Sequence, residues 1–241
     1  MENIILLDTV PSTNDYAKNL ARQGAAHGTA VMAKCQTAGR GRMGRSFLSP
    51  EGGLYLSVIL RPRERAEKLM ALTAMLAAAA CDAVEQVCGI RPGIKWINDL
   101  VLDGKKLAGV LTELSLTADG CVEYAVCGIG INCNGDLSSL SPEVRKIATS
   151  LLEQTGKQTD ISALTEAMVH RWTNPDINWL ETYRRDCVTL GKTVRILGAE
   201  EYTATAVDID HDGALVVKTE DGELHRVFSG EVSVRGLYDY V

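Results

Sequence analysis

The chain has 241 residues, with 25 Lys plus Arg against 31 Asp plus Glu and a formal net charge of −6. Apolar residues make up 46% and charged residues 23%, a balance that excludes an intrinsically disordered chain. The acidic surplus argues against a general nucleic-acid binder, which needs a basic surface, and the length permits one large domain or a large one with a small companion.

In chain order, residues 3–8 (NIILLD) read as a short strand, whose apolar run is too short for the core of an export signal. Pro11-Ser12-Thr13-Asn14 then starts a helix, with Ser12 or Thr13 as its cap and Tyr16, Ala17 and Leu20 at helical spacing behind. Residues 29–36 read as a strand. The next seventeen are rich in Gly, Arg and Ser and lack an apolar period, which predicts a long loop of the functional or mobile kind. A strand follows at 54–60. Residues 66–87 are apolar on nearly every face and predict one helix buried in the core. Its most apolar stretch, thirteen residues at 69–81, falls short of the roughly 20 that a membrane span needs.

Strands are predicted at 94–96 and 100–102, and Asp103-Gly104 is a hairpin signal leading into 107–114. Ala118-Asp119-Gly120 turns the chain into 122–131. Two helices are expected, at 142–154 and 160–184, the second amphipathic around Leu164, Met168, Trp172 and Trp179. Beyond Gly191, short strands at 193–197, 203–209, 214–218 and 223–228 alternate with turns such as Asp212-Gly213 and Asp221-Gly222 and read as a small β-barrel. The expected architecture is α+β, with a mixed-sheet domain over 1–188 and the barrel over 189–241. Seven cysteines, an odd number without a C-x-x-C pair, fit a reduced cytoplasmic chain, with Cys81 and Cys88 as buried free thiols on one helix face.

Three segments carry chemistry. Gly39-Arg40-Gly41-Arg42-Met43-Gly44-Arg45 belongs to a stretch, between Asp15 and Glu51, with six cations and no carboxylate. Glycines let the backbone approach an anion, and guanidiniums share phosphate oxygens in bidentate fashion; a solvated loop or an RNA-binding basic segment is the competing reading. No nucleotide P-loop pattern is present. Lys95-Trp96-Ile97-Asn98-Asp99, with Gly104-Lys105-Lys106-Leu107-Ala108-Gly109 behind it, is taken alone turn chemistry. Gly128-Ile129-Gly130-Ile131-Asn132 puts two glycines in an apolar strand, which weakens it unless a ligand or helix must come close.

Together, in this order and spacing, the sequence resembles the biotin protein ligase family: STN at 12–14, QTAGRGRMGRSF at 36–47, KWINDL at 95–100, GKKLAGVLTE at 104–113, GIGIN at 128–132 and GEVSVRG at 230–236. Two positions depart from the family pattern, Ile97 in place of proline and Phe47 in place of tryptophan, and imply altered packing. The resemblance implies a biotin/lipoate-ligase type catalytic domain with an SH3-like C-terminal barrel. No helix-turn-helix segment precedes the first strand, so the monofunctional form is expected.

The resemblance further implies an enzyme that makes biotinyl-5′-AMP from biotin and ATP, Mg²⁺ arriving with the nucleotide and no resident metal. Biotin then passes to a lysine of a biotin carboxyl carrier protein. Arg42 and Arg45 are expected on phosphates, with Gly39, Arg40 and Gly41 closing the loop over biotin. Lys106 neutralises the carboxylate and the charge developing at the α-phosphate. Ser12, Thr13, Asn14 and Gln36 face the ureido ring, and Gly109, Gly128 and Gly130 admit the bicycle and tail. Trp96, Asn98 and Asn132 are expected on ATP, and Asp99 as base or orienter for the incoming lysine. A homodimer without nucleic-acid or membrane partners is expected. The rival readings are a lipoate or octanoate ligase-transferase of the same superfamily, an RNA-binding module and a biotin-sensing repressor.

Overall fold

Ser12 marks the first commitment of the chain to tertiary structure. Its extended backbone and its Oγ, which accepts from the Asp15 amide at 3.4 Å, cap helix α1 (Thr13–Arg22) directly behind strand β1 (Ile4–Val10). The helix crosses over to β2 (Ala30–Gln36), which pairs parallel with β1. The remaining elements are β3 (Leu54–Leu60), α2 (Leu72–Cys88), β4 (Gly93–Lys95), β5 (Asp99–Leu102), β6 (Lys105–Leu116), β7 (Val122–Ile131), α3 (Pro142–Ile147), α4 (Leu151–Thr155), α5 (Ile161–Thr173), α6 (Trp179–Asp186), β8 (Thr193–Leu197), β9 (Tyr202–Ile209), β10 (Leu215–Lys218), β11 (Leu224–Val227) and β12 (Ser233–Gly236). This is a computed structural model that describes residues 3–197, 201–228 and 233–236; the expected GEVSVRG segment lies partly outside the described residues.

A seven-stranded sheet runs β1-β2-β3-β7-β6-β5-β4, antiparallel beyond the β1–β2 pair, and a five-stranded antiparallel sheet runs β11-β10-β9-β8-β12. The Asp103-Gly104 hairpin forms as expected: both residues have positive φ, +48° and +67°, as a two-residue turn of matching twist requires. Helix α2 lies on the sheet with α5 and α6 beside it, and its alanines let the backbones approach closely. The helical stretch Ala66–Cys88 has the length and composition of a membrane span, yet Leu76, Ala77, Ala80, Cys81 and Val84 are buried inside the protein. All seven cysteines are free thiols.

Three expectations need correction. The helix predicted at 66–87 opens as a separate 3₁₀ turn, Ala66–Leu69, before α2. The helix at 142–154 is two helices: Ala148 is extended, the Thr149 amide donates to the Lys106 carbonyl at 2.9 Å, and Ser150 caps α4 anew. The helix at 160–184 stops at Thr173, because Asn174 precedes Pro175 and a residue before proline is pushed out of the helical region. The expected long loop after β2 forms, and it folds back on itself through a 3₁₀ turn at Arg42–Gly44, with the Phe47 amide donating to the Gly39 carbonyl.

Candidate active site

Strands β6 and β7 bring Gly109 and Gly130 side by side in register, and this glycine floor lies under two adjoining cavities. The larger is walled by the arginine loop from Arg40 to Phe47, by Lys95, Trp96, Asn98 and Asp99, and by Lys106. The smaller is walled by Ser12, Thr13, Asn14, Gln36 and the Gly128–Gly130 stretch. Arg40, Phe47, Gly109 and Leu111 belong to both.

The larger cavity presents five cationic residues (Arg40, Arg42, Arg45, Lys95 and Lys106) and one carboxylate, Asp99. In a chain of net charge −6, that concentration selects a polyanionic ligand. Arg42 donates to Asn98 Oδ1 at 2.9 Å. Burial lowers its pKa, which Asp99 opposes and Arg45 reinforces, so a bound anion would relieve the cost of burying that guanidinium. Asn98 Nδ2 donates to Asp99 at 3.1 Å and to the Val110 carbonyl at 3.0 Å. Asp99 in turn holds Lys106 Nζ at 2.8 Å. One connected network therefore joins the loop, the 95–99 segment and β6.

That segment is braced from behind. The Trp96 amide donates to Thr189 Oγ1 at 3.0 Å, its indole Nε1 to the Gly213 carbonyl at 2.9 Å, and Tyr183 Oη to the Ile97 carbonyl at 3.2 Å. The Trp96–Ile97 peptide is cis, and Ile97 is buried in the core.

The smaller cavity is a chain of short polar side chains. The Thr13 amide donates to Gln36 Oε1 at 2.8 Å, and Gln36 Nε2 donates to Ser49 Oγ at 2.9 Å. Ser57 Oγ donates to Asn14 Oδ1 at 2.6 Å, and Asn14 Nδ2 donates to Glu113 Oε2 at 2.9 Å. Gly128 is required here: a Cβ would come within 2.1 Å of Asn14 Oδ1. At Gly130 a Cβ would lie 2.4 Å from the Phe47 ring, which rests edge-on to Tyr55.

Of the residues expected in the site, Ser12, Thr13, Asn14, Gln36, Arg40, Gly41, Arg42, Arg45, Trp96, Asn98, Asp99, Lys106, Gly109, Gly128 and Gly130 all line one or both cavities. Gly39 stands behind the wall, packed against the Phe47 carbonyl. Asn132 is not among the lining residues: its side-chain Nδ2 donates to the Thr149 carbonyl at 3.0 Å. The motifs included Phe47 and Lys95 without assigning them a role, and sequence reasoning missed Leu111 in the walls and Ser57 and Glu113 behind them. Ser57 had a signal, as the one small polar residue in the apolar run 54–60. Glu113 had one too, since alternation along β6 puts it on the face of Gly109 and Leu111.

A mixed sheet carrying an arginine-walled anion cleft and, across a shared glycine, a small polar pocket defines a class of protein that brings an anionic ligand and a small polar one together. Residues 6–132 match the Biotin/lipoate A/B protein ligase family, and residues 189–235 match the Biotin protein ligase C terminal domain. The chain belongs to this family, in its biotin protein ligase branch. The Bifunctional ligase/repressor BirA of Bacillus subtilis is 34% identical over 246 residues, covering 97% of this chain and 74% of that protein. The Biotin--[acetyl-CoA-carboxylase] ligase of Paracoccus denitrificans is 37% identical over 159 residues, covering 64% and 65%. The biotin protein ligase of Aquifex aeolicus in complex with biotin and ATP superposes with a TM-score of 0.78 at 32% identity, covering 98% of this chain and 100% of that one. The mixed sheet with a small SH3-like C-terminal unit is the fold shared with that enzyme.

Proposed function

We infer that this protein activates biotin with ATP to biotinyl-5′-AMP and transfers the biotin to a lysine of a biotin carboxyl carrier protein. The observation that carries this is the pair of adjoining cavities: a five-cation cleft suited to a triphosphate, and beside it, sharing Arg40 and Gly109, a pocket of short hydrogen-bonding side chains suited to a flat ureido ring. Biotin carboxylate and ATP are both anions and repel one another; fixed cations at their junction lower the cost of contact in both ground and transition states.

In this reading Ser12, Thr13, Asn14 and Gln36 hold the ureido ring, and Gly109, Gly128 and Gly130 leave room for the bicycle and tail. Arg42 and Arg45 bind phosphates, while Gly39, Arg40 and Gly41 shape the loop that shields the acyl-adenylate from water. Lys106 faces the carboxylate and the α-phosphate. A biotin carboxylate oxygen attacks the α-phosphorus and pyrophosphate leaves. The acceptor lysine then attacks the biotinyl carbonyl and AMP leaves, its proton taken near Asp99. Trp96 and Asn98 support the nucleotide side, where Asn98 acts through Arg42 and Asp99. We keep Asn132 as an adenine contact on condition that its bond to the Thr149 carbonyl opens. Mg²⁺ would enter with the nucleotide, held by phosphates and water, since the lining offers the single carboxylate Asp99.

We further propose a catalytic domain over 1–188 and a C-terminal domain over 189–241. A reduced, cytoplasmic setting is supported by seven free thiols, and a homodimer by the edge strand β1, where Leu6 is 59% exposed. Incubation with biotin, ATP and a carrier domain, read by mass, should add one biotin to the acceptor; lipoate in place of biotin should add nothing. An unmodified acceptor would overturn the reading.

A further inference from the structure

Glu113 lines neither cavity, yet two groups from the site, Arg40 and Asn14, converge on it together with Lys18 of α1. Lys18 Nζ lies 2.5 Å and Arg40 Nη2 3.1 Å from Oε1, and Asn14 Nδ2 lies 2.9 Å from Oε2. A carboxylate only accepts hydrogen bonds, so this contact fixes which end of the Asn14 amide is which. With Nδ2 on Glu113, Asn14 presents Oδ1 inward, where it takes the Ser57 proton at 2.6 Å. Ser57 has one proton to give. Thr13 is therefore the donor either in its 2.8 Å contact with Ser57 Oγ or in its 3.1 Å contact with Gln36 Oε1. Direction passes from Glu113 through Asn14 to Ser57, whose proton is thereby committed to Asn14 and not to Thr13.

We propose that Glu113 is a positioning residue for biotin: it sets the hydrogen-bond polarity of the small pocket through Asn14 and draws the arginine loop against the pocket through Arg40. Asp15 shares the second task, with Oδ1 3.1 Å and Oδ2 3.2 Å from Arg40 Nη1, but Asn14 is held by Glu113 and not by Asp15. Burial pushes the Glu113 carboxyl up, but the hydrogen bonds from Lys18 and Asn14, together with the charges of Lys18 and Arg40, outweigh it. The net direction is downward, so the group is an acceptor at neutral pH. A glutamine of the same shape can turn its own amine toward Asn14, flip that amide and reverse the chain behind it.

The inference rests on the biotin reading, and its test separates the two. Biotin titration calorimetry on the full chain, with no ATP, reads the pocket directly. Glu113→Gln should weaken biotin binding tenfold or more, Glu113→Asp should recover at least a third of that loss on a logarithmic scale, and Asp15→Asn should change it less than threefold. In adenylate formation, Glu113→Gln should raise the KM for biotin by more than it lowers kcat, with the KM for ATP changed less than threefold. Should Glu113→Ala fail to fold, the isosteric Gln variant still decides. Biotin affinity within twofold of wild type in the Gln variant would overturn the proposal. So would equal losses in kcat and both KM values, which mark a merely structural residue. Wild-type protein that binds biotin but forms no adenylate would overturn the functional reading and leave the positioning role standing.

Discussion

Lys106 Nζ and Asp99 are joined at 2.8 Å across the neighbouring strands β6 and β5, with the amine 28% and the carboxylate 17% exposed. The backbone of Lys106 is pinned as well, because its carbonyl accepts from the Thr149 amide at 2.9 Å. A carboxylate thus holds the amine at the cavity wall, pointing where an anionic ligand would compete for it. Lys106→Gln keeps the length and removes the charge. Adenylate formation, followed by pyrophosphate release in a single turnover, should fall at least tenfold, about 1.4 kcal/mol of transition-state stabilisation; a smaller loss removes the electrostatic role.

Asp99→Asn separates the two half-reactions. It leaves Lys106 without its ion pair but still in place, so adenylate formation should drop modestly. Transfer to the carrier lysine, measured from pre-formed adenylate, should drop by about 10²-fold, the lower end of general-base effects. Equal effects on both steps would make Asp99 only a support for Lys106.

Arg42 is tied to Asn98 at 2.9 Å, and both line the anion cleft. Arg42→Ala should let the adenylate escape about tenfold faster, read as its dissociation rate by filtration. Asn98→Ala should produce a smaller effect in the same direction, because it removes the brace and not the charge. The double variant should then match Arg42→Ala, since residues that act through one another are not additive.

Gly128 and Gly130 respond differently to the same methyl group. At Gly128 the obstacle is the Asn14 amide, itself locked from both ends, so Gly128→Ala should cost about 1–3 kcal/mol in urea unfolding, the usual range for overpacking. At Gly130 the obstacle is the Phe47 ring, and Phe47→Ala should restore most of the stability lost by Gly130→Ala. The same ring change should not rescue Gly128→Ala.

Asp186 ties α6 to Arg91 beyond the end of α2, with Arg91 Nη2 2.6 Å and Arg185 Nε 2.9 Å from its oxygens. Burial raises its pKa, but the Arg185 and Arg91 bonds outweigh it and the net shift is downward. The folded pKa then lies below the unfolded value of about 4. Its stabilisation is complete above the unfolded value and fades as pH falls through the folded one. Asp186→Asn should cost about 1–3 kcal/mol at pH 7, and urea midpoints measured from pH 7 to 2 should converge with wild type at the acid end.

Much of this was legible in the sequence, because it depends on neighbours along the chain. Ser12 as a helix cap, the positive-φ Asp103-Gly104 turn and the glycine–arginine loop are set by local backbone preference, and the ordered motifs carried the family. Even the break at Asn174-Pro175 is written locally, beneath an apolar period that continues on both sides of it. Contacts between distant segments were not legible. Asn14 and Glu113 are 99 residues apart, Trp96 and Gly213 are 117 apart, and the Asn132 side chain is bonded to a carbonyl in the segment after α3. Alternation tells which face of a strand a side chain takes, but not what another segment places against that face. Sheet pairing and helix docking decided that, and with it which carboxylate holds an amine, which holds an amide, and which way the hydrogen bonds of the pocket run.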